Sequence, residues 1–190
     1  MRRLETSLEL DVLRDLFTCD PEAGTVTWKP RNPVCYRVAT WNKRFSGQVA
    51  GRRMAKGYIQ IVVTVEGVRH YIQVHRLIWA LTFGEWVPVE FEIDHRNTVR
   101  DDNRIKNLRV CLPVENAKNR ALYKNNSSGF KGVSWVARYG KWGVQIHING
   151  GSKFKGYFDS PADAAAAYDQ AALENFREFA RTNNDMRCAI

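Results

Sequence analysis

FEIDHRNTVRDDNRIKNLRVCLPVENAKN, residues Phe91 to Asn119, sets a carboxylate beside an imidazole and follows them with two well-spaced asparagines. The four are Asp94, His95, Asn107 and Asn116. Phe91, Ile93 and His95 alternate with Glu92 and Asp94, the period of a half-buried strand, so Asp94 and His95 are expected on opposite faces of its end. A polar loop, Arg96 to Lys106, follows. Residues 107–111, NLRVC, read as a short returning strand, and Pro113 fits the first turn of a helix carrying Glu115, Asn116 and Asn119. A hairpin and then a helix, with polar residues converging between them, describes a compact metal site.

The pattern resembles the HNH endonuclease family, in the homing-endonuclease branch of phages and bacteria, whose nuclease core is a ββα-metal motif. Asp-His, an Asn-Leu twelve positions after the His, and another Asn nine positions further on are matched by Asp94-His95, Asn107-Leu108 and Asn116. The resemblance implies that Asp94 and Asn116 ligate the metal, that His95 is the general base and that Asn107 braces the hairpin. The third letter is Asn rather than His. That departure occurs within this branch and leaves the metal two oxygen ligands from the protein.

The chemistry agrees with the resemblance. Hydrolysing a phosphodiester needs an activated water, a cation beside the pentavalent phosphate and something to stabilise the leaving oxygen. A carboxylate oxygen from Asp94 and an amide oxygen from Asn116 are hard ligands suited to Mg²⁺ or Mn²⁺, and they leave positions for phosphate and water. An imidazole with an ordinary pKa of about 6.5 can take a proton from water near neutral pH when its other nitrogen is held in one tautomer. Asn107 has donors and an acceptor with which to tie loop backbone.

Charge distribution supports a polyanionic partner. The 190 residues are 44% hydrophobic and 12% aromatic, enough for real cores, and the formal charge is +9. Between Glu22 and Glu66 there is no acid but eight bases, and between Glu115 and Asp159 again no acid and eight bases. Two basic surfaces are thus expected around the metal motif, as if DNA runs past it. Cys19, Cys35, Cys111 and Cys188 form no CxxC pair, which argues against a zinc site or a disulfide framework. No signal peptide or membrane span is read, so the expectation is a cytoplasmic protein of a bacterium or a phage-infected host, with no membrane and no protein partner implied.

Along the chain, residues 1–17 carry a helical stripe, Leu8, Leu13, Leu16 and Phe17 among them. Residues 20–24 read as a turn and 25–28 as a strand. Residues 29–57, rich in Gly and Arg, read as a loop or arm on phosphate. Strands over 58–65 and 68–74 form a hairpin about Glu66-Gly67. A helix from about His75 to Phe83 follows the i, i+3, i+4, i+7 rule and is stopped by Gly84. His75 begins that helix and is given a structural part.

The connection 120–129 is polar, with a linker at 125–128 dividing a nuclease module, 1–124, from a second domain, 129–180, and a tail, 181–190. In the second domain Trp142, Val144, Ile146 and Ile148 alternate with polar residues, Asn149-Gly150-Gly151 turns into residues 153–158, and 132–136 supplies a first strand, giving three antiparallel strands. Ser160 caps a helix with Pro161 at its first position. Gly132-Val133, Lys141-Trp142, Gly156-Tyr157-Phe158 and the alanine pairs 164–165 and 171–172 resemble the plant AP-two/ethylene-response-factor domain, whose sheet enters the major groove of DNA. The resemblance implies that Lys131, Ser134, Gln145, His147 and Phe154 face DNA, with Arg138, Lys141 and Lys153 on nearby phosphates. Several arginines that read guanine in the plant domain are here Ser134, Val136 and His147, so its base preference does not carry over.

The expected protein is α+β: a ββα-metal nuclease module followed by a three-stranded antiparallel sheet packed on one helix. The expected activity is Mg²⁺- or Mn²⁺-dependent nicking or cleavage of double-stranded DNA by a homing-type HNH endonuclease. The alternative is a sequence-specific DNA-binding regulator whose nuclease module no longer cuts.

Overall fold

Leu13 and Phe17 lie on the inner side of the first element, α1 (Leu10–Leu16), and of the strand β1 (Phe17–Asp20) that follows it directly. A computed structural model describes residues 8–119, 126–148 and 150–187. The chain divides into two units, Met1–Leu112 and Pro113–Ile190. The sequence places the boundary at 125–128, of which residue 125 lies outside the described residues; the division falls instead after Leu112.

In the first unit β1 pairs with β2 (Thr25–Trp28), where the sequence suggests only a helical stripe running into a turn. Leu13, Leu16 and Phe17 fit helical spacing, but β2 offers backbone partners from Phe17 onward, and pairing wins. The segment 29–57 is not a bare arm. It holds α2 (Tyr36–Phe45) and the short strand β3 (Arg52–Arg53). Val38, Trp41, Asn42 and Phe45 form the half-buried side of α2. Trp41 meets Trp28 edge-on at 5.3 Å, Phe45 packs on Trp41 at 5.4 Å, and the Arg31 guanidinium stacks 3.8 Å from the Trp41 centroid. Asn42 ties the preceding loop by accepting from Arg31 N and donating to Arg31 O.

β3 pairs with β4 (Ile59–Val65), and β4 with β5 (Val68–Gln73), in the expected hairpin. α3 (Val74–Phe83) follows without a break and ends on Gly84, whose left-handed backbone lets its N–H reach Ala80 O. Val74, Leu77 and Ile78 join Leu13, Phe17, Val26, Ile61, Val63 and Ile72 in the main core. β6 (Glu92–His95) and β7 (Leu108–Cys111) make a separate two-stranded hairpin over a small core of Val87, Ile93 and Leu108.

The second unit opens with α4 (Pro113–Asn116), which is a single turn; a 3-10 turn, residues 117–119, replaces the rest of the expected helix, so Asn119 is not on it. β8 (Val133–Val136), β9 (Lys141–Ile148) and β10 (Gly151–Phe158) form the antiparallel sheet, in the order β10, β9, β8. Asn149 of the expected turn lies outside the described residues. α5 (Pro161–Phe176) starts at Ser160, whose hydroxyl accepts from Ala162 N, and buries Ala164, Ala165, Tyr168, Ala171 and Ala172 against Val133, Val144, Ile146 and Ile148. The alanines let helix and sheet approach closely. A last turn, α6 (Asn183–Arg187), is held by Asp169, which accepts from Asn183 N and Nδ2. No helix among the described residues is long and apolar enough to cross a membrane.

Candidate active site

In the β6–β7 hairpin Asp94 lies opposite Arg109, and His95 opposite Leu108. A pleated strand sends Asp94 and His95 to opposite sides. Both residues are buried. Arg109 donates to Asp94 Oδ2 from Nε at 2.9 Å and from Nη2 at 2.7 Å. Both side chains of this ion pair are 7% exposed. A lone buried charge is strongly unfavourable, so the guanidinium is what makes a carboxylate tenable here.

His95 has a different partner, Asn103. Its Nε2 stands 3.2 Å from Asn103 Oδ1, inside the hairpin loop. With the amide oxygen toward the ring, Nε2 carries the proton and Nδ1 keeps the lone pair, which selects the nitrogen able to act as base. Burial lowers the pKa of the imidazole, while the Asn103 bond and the carboxylates of Asp94 and Asp102 oppose that shift. Asn103 is 1% exposed, and its Nδ2 has no hydrogen-bond partner among the described residues.

Asn107 ties the loop that separates the strands. Its Nδ2 donates to Asp102 O at 2.7 Å and to Asn97 Oδ1 at 2.9 Å, and its Oδ1 accepts from Asn97 N at 3.0 Å. Asp102 also accepts from Asn97 Nδ2 and Arg104 Nε; the Arg104 bond is the main cause holding its carboxyl down at about 2. The loop is clasped from elsewhere in the unit by Arg53 on Asp101, by Arg100 on Lys56 O, and by Ile105 N on Pro21 O.

Gly24, in the β1–β2 turn, sits directly against this loop. A Cβ there would stand 2.4 Å from Arg104 N and 2.7 Å from the Asn103 carbonyl carbon, and the backbone has φ +70°. Gly24→Ala therefore meets rigid backbone and an unfavourable left-handed conformation together. The expected outcome is a loss of roughly 1–3 kcal/mol in stability. Urea unfolding of the variant checks it; an unchanged midpoint would mean that the turn does not set the loop.

His75, in the first turn of α3, is buried and meets His95 edge-on at 5.1 Å, with Tyr58 5.4 Å away on the same cluster. Burial first, then the neighbouring His95 and Arg76, push its pKa down to about 3, so it is a neutral wall for the His95 ring. In the unfolded chain it protonates near 6.5, and between those limits the unfolded state binds more protons. Stability is therefore present above about pH 6.5 and is lost as pH falls toward 3, by up to about 1.4 kcal/mol per unit. Urea midpoints from pH 7 to pH 5 should fall more steeply for the natural protein than for His75→Phe; equal slopes would remove this origin.

Two residues the sequence reading passed over are thus central, Arg109 and Asn103. Asn116 ends α4 in the second unit and is half-buried. Among the described residues no three His, Cys, Asp or Glu side chains are grouped so as to hold a metal. Cys19, Cys35 and Cys111 form no disulfide, and Cys188 lies outside the described residues.

In the second unit, Ser134, Arg138, Gln145, His147, Lys153 and Phe154 are exposed. Pairing puts Phe154 opposite Gln145 and Ser134 opposite Gly143, all on the sheet side away from α5. Lys153 pairs with buried Ile146 and so lies on the α5 side of an edge strand. Lys141 is ion-paired with Asp159. Lys131 is half-buried. Its ammonium donates to Lys118 O at 2.7 Å, and burial, with Arg181 nearby, lowers its pKa to about 8.

A family model for the HNH endonuclease matches residues 73–118. Protein 3.8 of Escherichia phage T7 is 35% identical over 97 residues, 51% of this chain and 74% of that protein. An HNH endonuclease of Acanthamoeba polyphaga mimivirus is 30% identical over 112 residues, 59% of this chain and 57% of that one, so the chain spans little more than half of that relative. A solved structure from work on DNA binding and cleavage by the HNH homing endonuclease I-HmuI aligns over 85% of both chains at 19% identity and a TM-score of 0.41. The family match contains Asp94, His95, Asn103, Asn107, Arg109 and Asn116 and stops before the three-stranded sheet.

Proposed function

We propose that the chain is an HNH endonuclease, metal-dependent and of the homing type, that hydrolyses phosphodiester bonds in double-stranded DNA; its similarity to the HNH endonuclease model over residues 73–118 and to a mimivirus HNH endonuclease supports this reading. The second unit, an AP-two/ethylene-response-factor-like module, binds the DNA and positions the cut. The observation that carries this reading is the pair of adjacent residues with separate braces: Asp94 on Arg109, and His95 on Asn103.

The donor set fits a hard cation. The carboxylate oxygens of Asp94 and the amide oxygen of Asn116 are hard donors, which suit Mg²⁺ or Mn²⁺ with water and phosphate completing its shell. Asp94 would hold the ion, and on motif spacing alone Asn116 is the second ligand. The bound ion supplies positive charge beside the scissile phosphate and its leaving oxygen.

The chain's own residues do the rest. Asn103 keeps the proton on His95 Nε2, so Nδ1 takes a proton from the attacking water as the new P–O bond forms and the old one breaks. Arg109 prevents the Asp94 carboxylate from turning, and His75 and Tyr58 prevent the imidazole from doing so. Asn107 holds the loop that carries Asn103. In the second unit, the acid-free span between Glu115 and Asp159 supplies the phosphate-binding charge.

The test is conversion of supercoiled plasmid by the purified protein with Mg²⁺ or Mn²⁺, with and without EDTA. Nicked or linear product that disappears with EDTA is expected. Cutting that survives full chelation would contradict the metal dependence, and no cutting with either ion would contradict the activity.

A further inference from the structure

On the sheet of the second unit, the side away from α5 carries a chain of three aromatic rings centred on Tyr157. Phe154 and Tyr157 have centroids 4.6 Å apart, and Tyr139 and Tyr157 4.7 Å. All three stay exposed, at 49%, 42% and 50%. Phe154 and Tyr157 lie over Gly143: a Cβ at that position would stand 3.6 Å from Phe154 and 3.7 Å from Tyr157. Arg138 stands 5.6 Å from the Tyr139 centroid, and the exposed amide of Gln145 is the cross-strand neighbour of Phe154. Such a contiguous exposed apolar cluster marks a binding surface rather than ordinary scattered exposure.

We propose that this cluster is a stacking platform for unpaired bases of DNA. The proposal rests on the reading that the second unit binds DNA, and it specifies which form the open face takes. Charge fixes the partner class, because the whole span from residue 116 to 158 holds eight bases and no acid. Ring chemistry fixes the form. Reading an intact major groove requires long polar side chains that reach base edges, yet the centre of this face is Gly143 flanked by Ser134, Val136, Phe154 and Tyr157. Its Lys141 is occupied with Asp159. Planar rings with a guanidinium at the margin suit bases that have left the stack, where every base offers a π-face. Gln145 then lies where it can bond the edge of a stacked base. A nuclease held in this way grips a locally opened or already nicked site.

The experiment measures binding of the full chain, in EDTA so that nothing is cut, to a labelled duplex, to the same duplex with a short unpaired gap, and to the single strand as DNA and as RNA. Tighter binding to the gapped duplex than to the intact one is expected, and Phe154→Ala and Tyr157→Ala should each weaken the gapped complex by about tenfold or more while leaving intact duplex nearly unchanged. Phe154→Leu and Tyr157→Leu keep bulk without an aromatic face and should show the same loss, which excludes misfolding as the cause. Equal affinity for gapped and intact duplex, or ring variants without effect, would overturn the platform, and tighter binding of RNA than of DNA would overturn the choice of ligand. The double variant Lys153→Ala with Lys155→Ala, two exposed bases of β10 outside the ring cluster, tests the broader reading. If it weakens duplex binding and its salt dependence while the ring variants do nothing, only the platform fails; if it changes nothing, the second unit's DNA role fails as well.

Discussion

His95→Ala is expected to lower the rate of strand cutting by about 10²- to 10⁴-fold, the usual worth of a positioned general base, with DNA affinity nearly unchanged. The imidazole is buried between Asn103, His75 and Tyr58, so it contributes to proton transfer rather than to phosphate binding. Removing the ring also leaves a cavity, and the comparison therefore needs His95→Gln, which keeps most of the bulk. Single-turnover cutting and a binding isotherm for both variants separate the two effects. Cutting at the natural rate by either variant would remove the base from His95.

Asp94→Ala should act on both stability and chemistry. Arg109 would remain as a buried guanidinium without its carboxylate, which is expected to lower the unfolding free energy by about 3–5 kcal/mol. Metal-dependent cutting should be abolished as well. The double change Asp94→Leu with Arg109→Leu replaces the ion pair by apolar groups, and such exchanges are often close to neutral in stability. Stability should therefore return without activity. Urea unfolding followed by a nicking assay gives both readings, and a folded double variant that cuts normally would show that the carboxylate is structural only.

The parts of the fold that were legible in the sequence are those with a clean period. β4 and β5 alternate around Glu66-Gly67, α3 repeats Val74, Leu77, Ile78 and Leu81 before Gly84, and β9 alternates from Trp142 to Ile148; each forms where its pattern places it. α2 was hidden because only three of its ten residues, Val38, Trp41 and Phe45, carry the inner stripe while Asn42 fills the fourth position and bases surround it. The spacing from Val38 to Trp41 to Phe45 was the available signal. Arg109 could have been found by laying the returning strand against β6, since that register puts it opposite Asp94 and opposite charges pair across strands. Asn103 carried no such signal. Its contact with His95 depends on how the loop folds, and that depends on Asn107 and on Gly24 from a distant turn. Lys131 looked like any exposed base in a basic span, and only packing shows its ammonium bonded to Lys118 O.

The most direct measurement of the central claim compares the natural protein with His95→Gln and with Asp94→Leu/Arg109→Leu, purified identically, on supercoiled plasmid in Mn²⁺ under single-turnover conditions, with DNA binding measured in the same samples. The account predicts that all three bind DNA comparably and that only the natural protein produces nicked or linear plasmid. Cutting by the folded variants at the natural rate would contradict it.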